Sequence, residues 1–267
     1  MATMISSFDN TQLFIKVEIP ADAKAIAVIV HGLCEHHGRY DYFVEKLHAA
    51  GIGTYRFDHR GHGRSEGERT HLNDFNELLD DTHVIVTKAI AENGDLPIFV
   101  IGHSMGGFTV SLYGAKYPNQ RIRGFVMSGA LVKDYAGLIA AVPLDLDPHM
   151  PLPNELGAGV CSVPEVVEWY GQDPYNSKTF TTGLCYSINK GIAWFDETVK
   201  NFTYPALMLH GELDGLVSTK DSQFLFEHVA SKDKQIKIYG NLFHEIFNEY
   251  AKDEVIDDLL SWVLRRM

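Results

Sequence analysis

Cysteine is scarce: Cys34, Cys161 and Cys185 are the only three in 267 residues. None belongs to a C-x-x-C pair, which excludes a zinc ribbon and a thioredoxin-like redox motif. A scattered, odd set also excludes a disulfide framework and fits a reducing, cytoplasmic setting. Basic charge is short as well, with Lys+Arg 23 against Asp+Glu 35 and a formal net charge of −12. That balance repels a phosphate backbone, so nucleic acid is not an expected partner. It also disfavours an anionic membrane, leaving at most a transient lipid contact through a local apolar face. Long hydrophobic runs are missing: Ala25–Val30 is the longest near the start, far below the roughly 20 residues of a membrane span. Met1–Asn10 lacks the basic and apolar segments of a secretory leader. Nothing in the composition sets an oligomeric state.

What is present is an alternation of β-rich runs and helical patterns. Leu13–Glu18, Ala25–Val30, Ile52–Phe57, Ile98–Ile101, Gly124–Ser128, Pro205–Leu209 and Gln235–Tyr239 read as strands, and Asp9-Asn10 as a turn from an earlier edge strand. Helices are expected over Tyr40–Ala50, stopped by Gly51, and over Asp74–Glu92 with Asn73 as N-cap. Two more are expected over Gly106–Tyr117, closed by Pro118, and Thr219–Ala230, where Ser218 and Asp221 form a capping-box variant. Such alternation implies an α/β fold, a mostly parallel sheet with helices on both faces.

One stretch breaks the rhythm. Pro143, Pro148, Pro151, Pro153, Pro164 and Pro174 crowd together, amid Trp169, Tyr170, Tyr175, Phe180, Tyr186, Trp194 and Phe195. A structureless loop of that length does not suit a compact domain. Residues 131–199 are therefore expected to form a small helical cap, with one helix over Ser162–Tyr170, above a core made of 1–130 and 200–267.

The chemistry concentrates at Gly102-His103-Ser104-Met105-Gly106, placed between a predicted strand and a predicted helix. A G-x-S-x-G in that context puts the serine on a strained turn above the sheet edge. Phe108 stands where a phosphate-loop lysine would be needed, which excludes that reading. An activated serine needs a base and an acid that orients it, following in the order serine, acid, histidine. His210, His228 and His244 lie late enough. His244 is preferred as base because it follows the last strand in a loop, whereas His210 ends a strand and His228 sits inside a helix. Asp214 is preferred as acid, with Glu212 and Asp196 as alternatives. The oxyanion donors are expected at the backbone N–H groups of Met105 and Leu33. The cluster His31, Glu35, His36, His37 approaches a zinc pattern, but His31 to Glu35 is one residue too long for H-x-x-E-H. Asp58–Ser65 lacks the third glycine of a dinucleotide loop and reads as a scaffold turn beside Leu33. Cys34 reads as a buried, inert thiol. No metal or organic cofactor is expected.

Several segments together carry a resemblance. His31-Gly32-Leu33-Cys34-Glu35-His36-His37-Gly38-Arg39-Tyr40, Asp58–Ser65, Gly102–Gly107 and the cap phrase Pro164-Glu165-Val166-Val167 with Asp173-Pro174 resemble the monoacylglycerol lipase and lysophospholipase branch of the α/β-hydrolases. The likeness runs from about Leu13 to Trp262. It implies an α/β-hydrolase fold, a triad of Ser104, Asp214 and His244, and oxyanion donors at Leu33 and Met105. It also implies hydrolysis of monoacylglycerols or similar single-chain lipid esters. A carboxylesterase for short or aromatic esters and a lysophospholipase are the alternatives within that chemistry, and a ligand-binding receptor the alternative outside it. Leu33-Cys34 departs from the smaller residues common in the family, with consequences for the acyl entrance.

Overall fold

The computed structural model describes residues 1–267. The chain opens with β1 (Ala2–Ser6) and β2 (Gln12–Glu18). The Asp9-Asn10 turn joins them, and Asn10 takes the left-handed conformation that asparagine tolerates, φ 71°. Then come β3 (Ala25–Val30), α1 (Asp41–Ala49), β4 (Ile52–Phe57), α2 (Asn76–Glu92), β5 (Ile98–His103), α3 (Met105–Lys116) and β6 (Gly124–Ser128). The middle of the chain holds β7 (Pro151–Pro153), α4 (Gly157–Val160), α5 (Pro164–Gln172), β8 (Thr179–Thr181) and α6 (Thr182–Thr198). It closes with β9 (Ala206–Gly211), α7 (Thr219–His228), β10 (Lys234–Tyr239) and α8 (Lys252–Leu264).

Eight strands form one sheet in the order β1-β2-β4-β3-β5-β6-β9-β10. β2 pairs antiparallel with β1 on one side and with β4 on the other, and every other pairing in this sheet is parallel. β3, β4, β5, β6 and β9 are buried at every position, as strands covered on both faces must be. One face packs against α2, α3 and α7, with α6 laid over α3, through residues such as Ile85, Phe108, Leu225 and Ile188. The other packs against α1 and α8 through Phe43, Phe247, Leu259 and Trp262. No helix is long and apolar enough to cross a membrane.

Helix ends differ from expectation where a carboxylate found a better donor. Asn73 does not cap α2: the Asp74 carboxylate accepts from the Asn76 N–H at 2.9 Å, and Asn73 N–H itself donates to Glu77 at 3.0 Å. Ser218 caps α7, accepting from the Lys220 N–H at 3.3 Å. Asp221 does not complete a capping box. Its carboxylate turns inward and accepts the backbone N–H groups of Val132, Lys133, Asp134 and Tyr135 at 2.7–3.2 Å. Four donors aimed at one buried carboxylate outweigh a solvent-facing cap bond, and they fix the chain where it leaves β6. Burial raises the Asp221 carboxyl all the same, against those four bonds.

Residues 131–199 are not purely helical. β7 and β8 pair antiparallel as a small separate sheet, and α5 starts at Pro164, two residues later than expected. The stretch is stitched to the rest by backbone bonds: Ser177 N–H to the Cys34 carbonyl at 2.9 Å, Thr181 N–H to the Thr70 carbonyl at 3.1 Å, and Glu245 N–H to the Val160 carbonyl at 2.7 Å.

The close approach of α3 to the sheet depends on missing side chains. A Cβ on Gly106 would lie 2.0 Å from the Val30 carbonyl oxygen, and one on Gly102 would lie 2.2 Å from the Gly106 carbonyl oxygen. Both obstacles are backbone and cannot swing aside. Gly106→Ala is expected to cost about 2 kcal/mol or more, read as a Tm lowered by roughly 4 °C or more in a thermal melt. An unchanged Tm would contradict this packing.

Candidate active site

Ser104 sits between β5 and α3 with φ 56° and ψ −118°, a conformation an L-residue holds only under constraint. The strain is held by the two neighbouring glycines and by the Ser104 N–H bond to the Ser128 carbonyl at 2.9 Å. Because α3 begins at Met105, the Met105 N–H is one of the orphan donors of a first helical turn. Gly32 brings a second backbone up to the serine: a Cβ there would lie 3.1 Å from Ser104 Cβ and 2.9 Å from Glu35 Oε1. The next N–H along, that of Leu33, takes no acceptor in the protein.

Asp214 follows β9 and His244 follows β10, so two neighbouring parallel strands deliver them to the same sheet edge. His244 Nδ1 lies 2.6 Å from Asp214 Oδ2. The other carboxylate oxygen accepts from the Leu216 and Val217 N–H groups, both at 2.9 Å. His210 stays in the strand, as its sequence position implied, and its Nε2 lies 3.1 Å from the same Asp214 oxygen. Burial would raise the Asp214 pKa, but His244 and His210 outweigh it and hold the carboxyl far below the usual range. Burial would lower that of His244, yet Asp214, with Glu245 and Glu35 behind it, holds the imidazole above its ordinary value. The other candidate groups lie elsewhere. Asp196 pairs with Lys133 at 2.7 Å, Glu212 is exposed and accepts from the Asn241 N–H at 3.3 Å, and His228 bonds the Phe224 carbonyl at 2.9 Å.

A buried ionic cluster beside His244 was not anticipated. Arg39 makes a two-pronged bond to Glu245, with Nη2 to Oε2 at 2.8 Å, and reaches Glu35 at 3.2 Å. The Tyr40 hydroxyl donates to Glu35 at 2.6 Å, and Glu35 also accepts the Gly32 N–H. The Arg39 guanidinium lies 5.1 Å from the centre of the Trp169 ring and 4.8 Å from that of Tyr170, both on α5. Three segments meet there: the loop after β3, the loop carrying His244, and α5. Spacing alone offered only the Glu35-to-Arg39 interval as a signal, since Glu245 lies 206 residues from Arg39.

The loop 58–65 lies against the loop after β3. His59 N–H donates to His31 Nε2 at 2.9 Å and His37 N–H to Asp58 Oδ1 at 2.8 Å. His31 is therefore spent on packing and shares no ligand cluster with Glu35. Cys34 is fully buried, and burial pushes its thiol far up.

Ser104 and His244 line one mostly apolar pocket, partly open to solvent. Leu33 and Met105 border it at the serine end, and Leu138, Ile139, Leu156, Val160, Tyr170 and Ile188 from residues 131–199 form its far wall. A smaller, more polar recess adjoins it, bordered by Glu35, Arg39, His103 and Glu245.

A mostly parallel sheet of eight strands, with a serine on a left-handed strand-to-helix turn, defines an α/β-hydrolase. The chain belongs to the serine aminopeptidase S33 family of these hydrolases, whose model matches residues 21–251, and within it to the monoacylglycerol lipase branch. It is an ester hydrolase. It is 36% identical over 253 residues to a monoacylglycerol lipase of Mycolicibacterium smegmatis, covering 92% of this chain and 90% of that one. It is 30% identical to the mouse monoglyceride lipase, covering 97% and 89%. The crystal structure of a Paleococcus ferrophilus monoacylglycerol lipase superposes with a TM-score of 0.83 at 29% identity, over 96% of this chain and 99% of that one.

The charges around His244 generate a prediction. An NMR titration of its imidazole should give a pKa above the ordinary value of about 6.5. Asp214→Asn should lower it, because the desolvation remains when the attracting charge is gone. Glu245→Gln should lower it by less, since that charge acts from farther away. A wild-type pKa below 6 would refute the charge balance.

Proposed function

We propose that the chain hydrolyses monoacylglycerols or similar single-chain lipid esters through a Ser104–His244–Asp214 triad. The observation that carries this reading is the 2.6 Å bond from His244 to Asp214 beside Ser104, at the mouth of an apolar cavity. The similarity to a monoacylglycerol lipase at 36% identity supports the substrate class.

In this reading Ser104 Oγ attacks the ester carbonyl while His244 Nε2 takes its proton. Asp214 holds the Nδ1–H and stabilises the imidazolium. The oxyanion receives the Leu33 and Met105 N–H groups, each such donor being worth about 10²–10³ in rate. Collapse expels the alcohol, which takes the proton from His244. Water, activated by the same imidazole, then releases the fatty acid and restores the serine.

The two chambers suit the two halves of such a substrate. The apolar cavity takes the acyl chain, and the polar chamber at Glu35, Arg39, His103 and Glu245 takes a small hydroxylated alcohol. His103 suits that position as a neutral imidazole: burial, and then the neighbouring His244, keep its pKa well below the usual value. Residues 131–199 act as the cap, because they supply the far wall of the acyl cavity. Leu33 borders the pocket beside the serine, where its bulk would narrow the acyl entrance.

Fluorophosphonate labelling with a fatty-ester chain-length series tests this. Wild type should label at Ser104, and Ser104→Ala should lose labelling and turnover without losing its melting transition. The rate should rise with acyl length beyond acetate, and monoacylglycerols should exceed lysophospholipids. No gain beyond acetate would favour the carboxylesterase, and absence of labelling the receptor. Because His244 must be neutral to act, kcat/KM should fall as pH drops through its raised pKa, placing the acid limb above about pH 6.5.

A further inference from the structure

Two groups of side chains in the fold have metal-ligand chemistry at close range: His36, His37 and Asp58, and Glu68, His71 and His149. The first is bonded within the fold. His36 Nε2 bonds Asp173 at 2.9 Å and its Nδ1 accepts the Gly38 N–H at 3.1 Å. His37 Nδ1 bonds Asp58 at 2.7 Å, and both Asp58 oxygens carry backbone N–H donors, from His37 and Arg64. Both His36 nitrogens and Asp58 Oδ1 are thereby committed, and the single lone pair left on Asp58 Oδ2 makes no site by itself.

The second group differs at one atom. His71 is buried, 7% exposed, and its Nε2 has no hydrogen-bond partner. Its Nδ1 lies 3.0 Å from Thr181 Oγ1. The Thr181 hydroxyl donates its own proton to the Thr70 carbonyl at 3.2 Å, so towards His71 it accepts. Nδ1 therefore carries the imidazole proton, and Nε2 presents a bare lone pair. A buried acceptor with no donor is costly and calls for a ligand. The His149 ring stacks on that of His71, with centroids 4.5 Å apart and planes 15° from parallel. His149 Nδ1 in turn lies 2.9 Å from Glu68 Oε1. One ligand atom from each of the three residues falls within 4.8 Å of the others.

We propose that Glu68, His71 and His149 bind a divalent ion of the zinc class, with water completing the coordination. Two imidazoles and one carboxylate are the donor set such borderline ions prefer over calcium or magnesium. Tetrahedral bonds of about 2.0–2.1 Å hold ligand atoms about 3.3 Å apart, so the group must contract on binding. The means are present: the His149 and Glu68 side chains are 59% and 50% exposed and can close onto the fixed His71. Thr181 supplies the outer hydrogen bond that sets the tautomer and aim of a ligating histidine. Glu68 and His71 belong to the segment after β4, whereas His149 belongs to the segment before β7. The ion is a clamp between the sheet domain and residues 131–199, remote in role from ester cleavage.

The test uses the untagged full chain in the Ser104→Ala background, stripped with a chelator, so that turnover plays no part. Titration with zinc by calorimetry, and with cobalt(II) by visible absorption, should show one saturable site per chain. Zinc at a hundredfold excess over Kd should raise Tm by roughly 5 °C or more. His149→Ala and Glu68→Gln, both at exposed positions, should each weaken zinc at least tenfold and remove most of the Tm rise. His71→Gln should abolish the site, and the two exposed variants keep the test decisive if it fails to fold. No saturable binding, or binding equally tight in wild type and both exposed variants, would overturn the proposal.

Discussion

The turn at Ser104 is the constraint on which the site depends. An L-residue at φ 56° and ψ −118° stays there only because its surroundings leave no alternative. Gly102 and Gly106 let β5, α3 and β3 approach to backbone contact, and the buried strands β3, β5 and β6 on either side cannot yield. One consequence is geometric, since the helix that begins at Met105 must aim its free N–H groups at the space above the serine. Another is topological. The loops after β3, β9 and β10 all leave the same edge of the parallel sheet, so Leu33, Asp214 and His244 arrive around that one turn.

Around this centre the electrostatics are layered rather than pairwise. Asp214 is drained of proton affinity by two histidines, one of which never leaves its strand. Behind His244, Glu245 and Glu35 add negative charge, while Arg39 sits between them and keeps two buried carboxylates tolerable. Burial still raises the Glu35 carboxyl, as expected where a second carboxylate lies beyond the shared arginine. The cluster also carries structure. Glu35 pins the Gly32 N–H, Glu245 adjoins His244, and Arg39 lies against Trp169 and Tyr170. Movement of α5 is thereby tied to the loops on both sides of the serine.

What the sequence made legible was local. G-x-S-x-G between a strand and a helix is a complete statement of backbone geometry within five residues. Ala25–Val30 likewise announced a central strand by its lack of any polar position, and its observed bounds agree. What stayed hidden was settled by partners distant in the chain. Asp221 had the spacing of a capping box, yet residues 132–135 claimed its carboxylate. Asn73 lost its capping role to Asp74, an equally good acceptor one position on. The pairing of β7 with β8 escaped notice because two prolines in a three-residue strand read as loop, and only a partner across a tight packing makes them a strand. Arg39 and Glu245 show the same limit, since no periodicity connects residues in two loops.

The stretch 131–199 illustrates how such distant bonds set mobility. Its polar attachments include backbone bonds at Cys34, Thr70 and Val160, the Ser162 N–H bond to Glu249 at 2.8 Å, the His36 bond to Asp173, and the stacking of α5 on Arg39. Its two long helices are held differently: α5 buries only Tyr170 among its nine residues, whereas α6 buries Leu184, Cys185, Ile188 and Phe195 in the same core as α3. The α5 part, with little apolar burial, is thereby less costly to displace than α6 or the sheet beneath it. The side that carries Glu68, His71 and His149 has no buried ion pair: its ties are bonds from Thr70 to Thr179 and Thr181, the His71–Thr181 bond, and one exposed His149–Glu68 contact stacked on a buried imidazole with an idle lone pair. The ionic anchor at Arg39 is built in on the His244 side, where it joins Glu245 to α5. The Glu68 side is then where a bound ion would add the tie between 131–199 and the rest of the fold that the buried arginine supplies on the other.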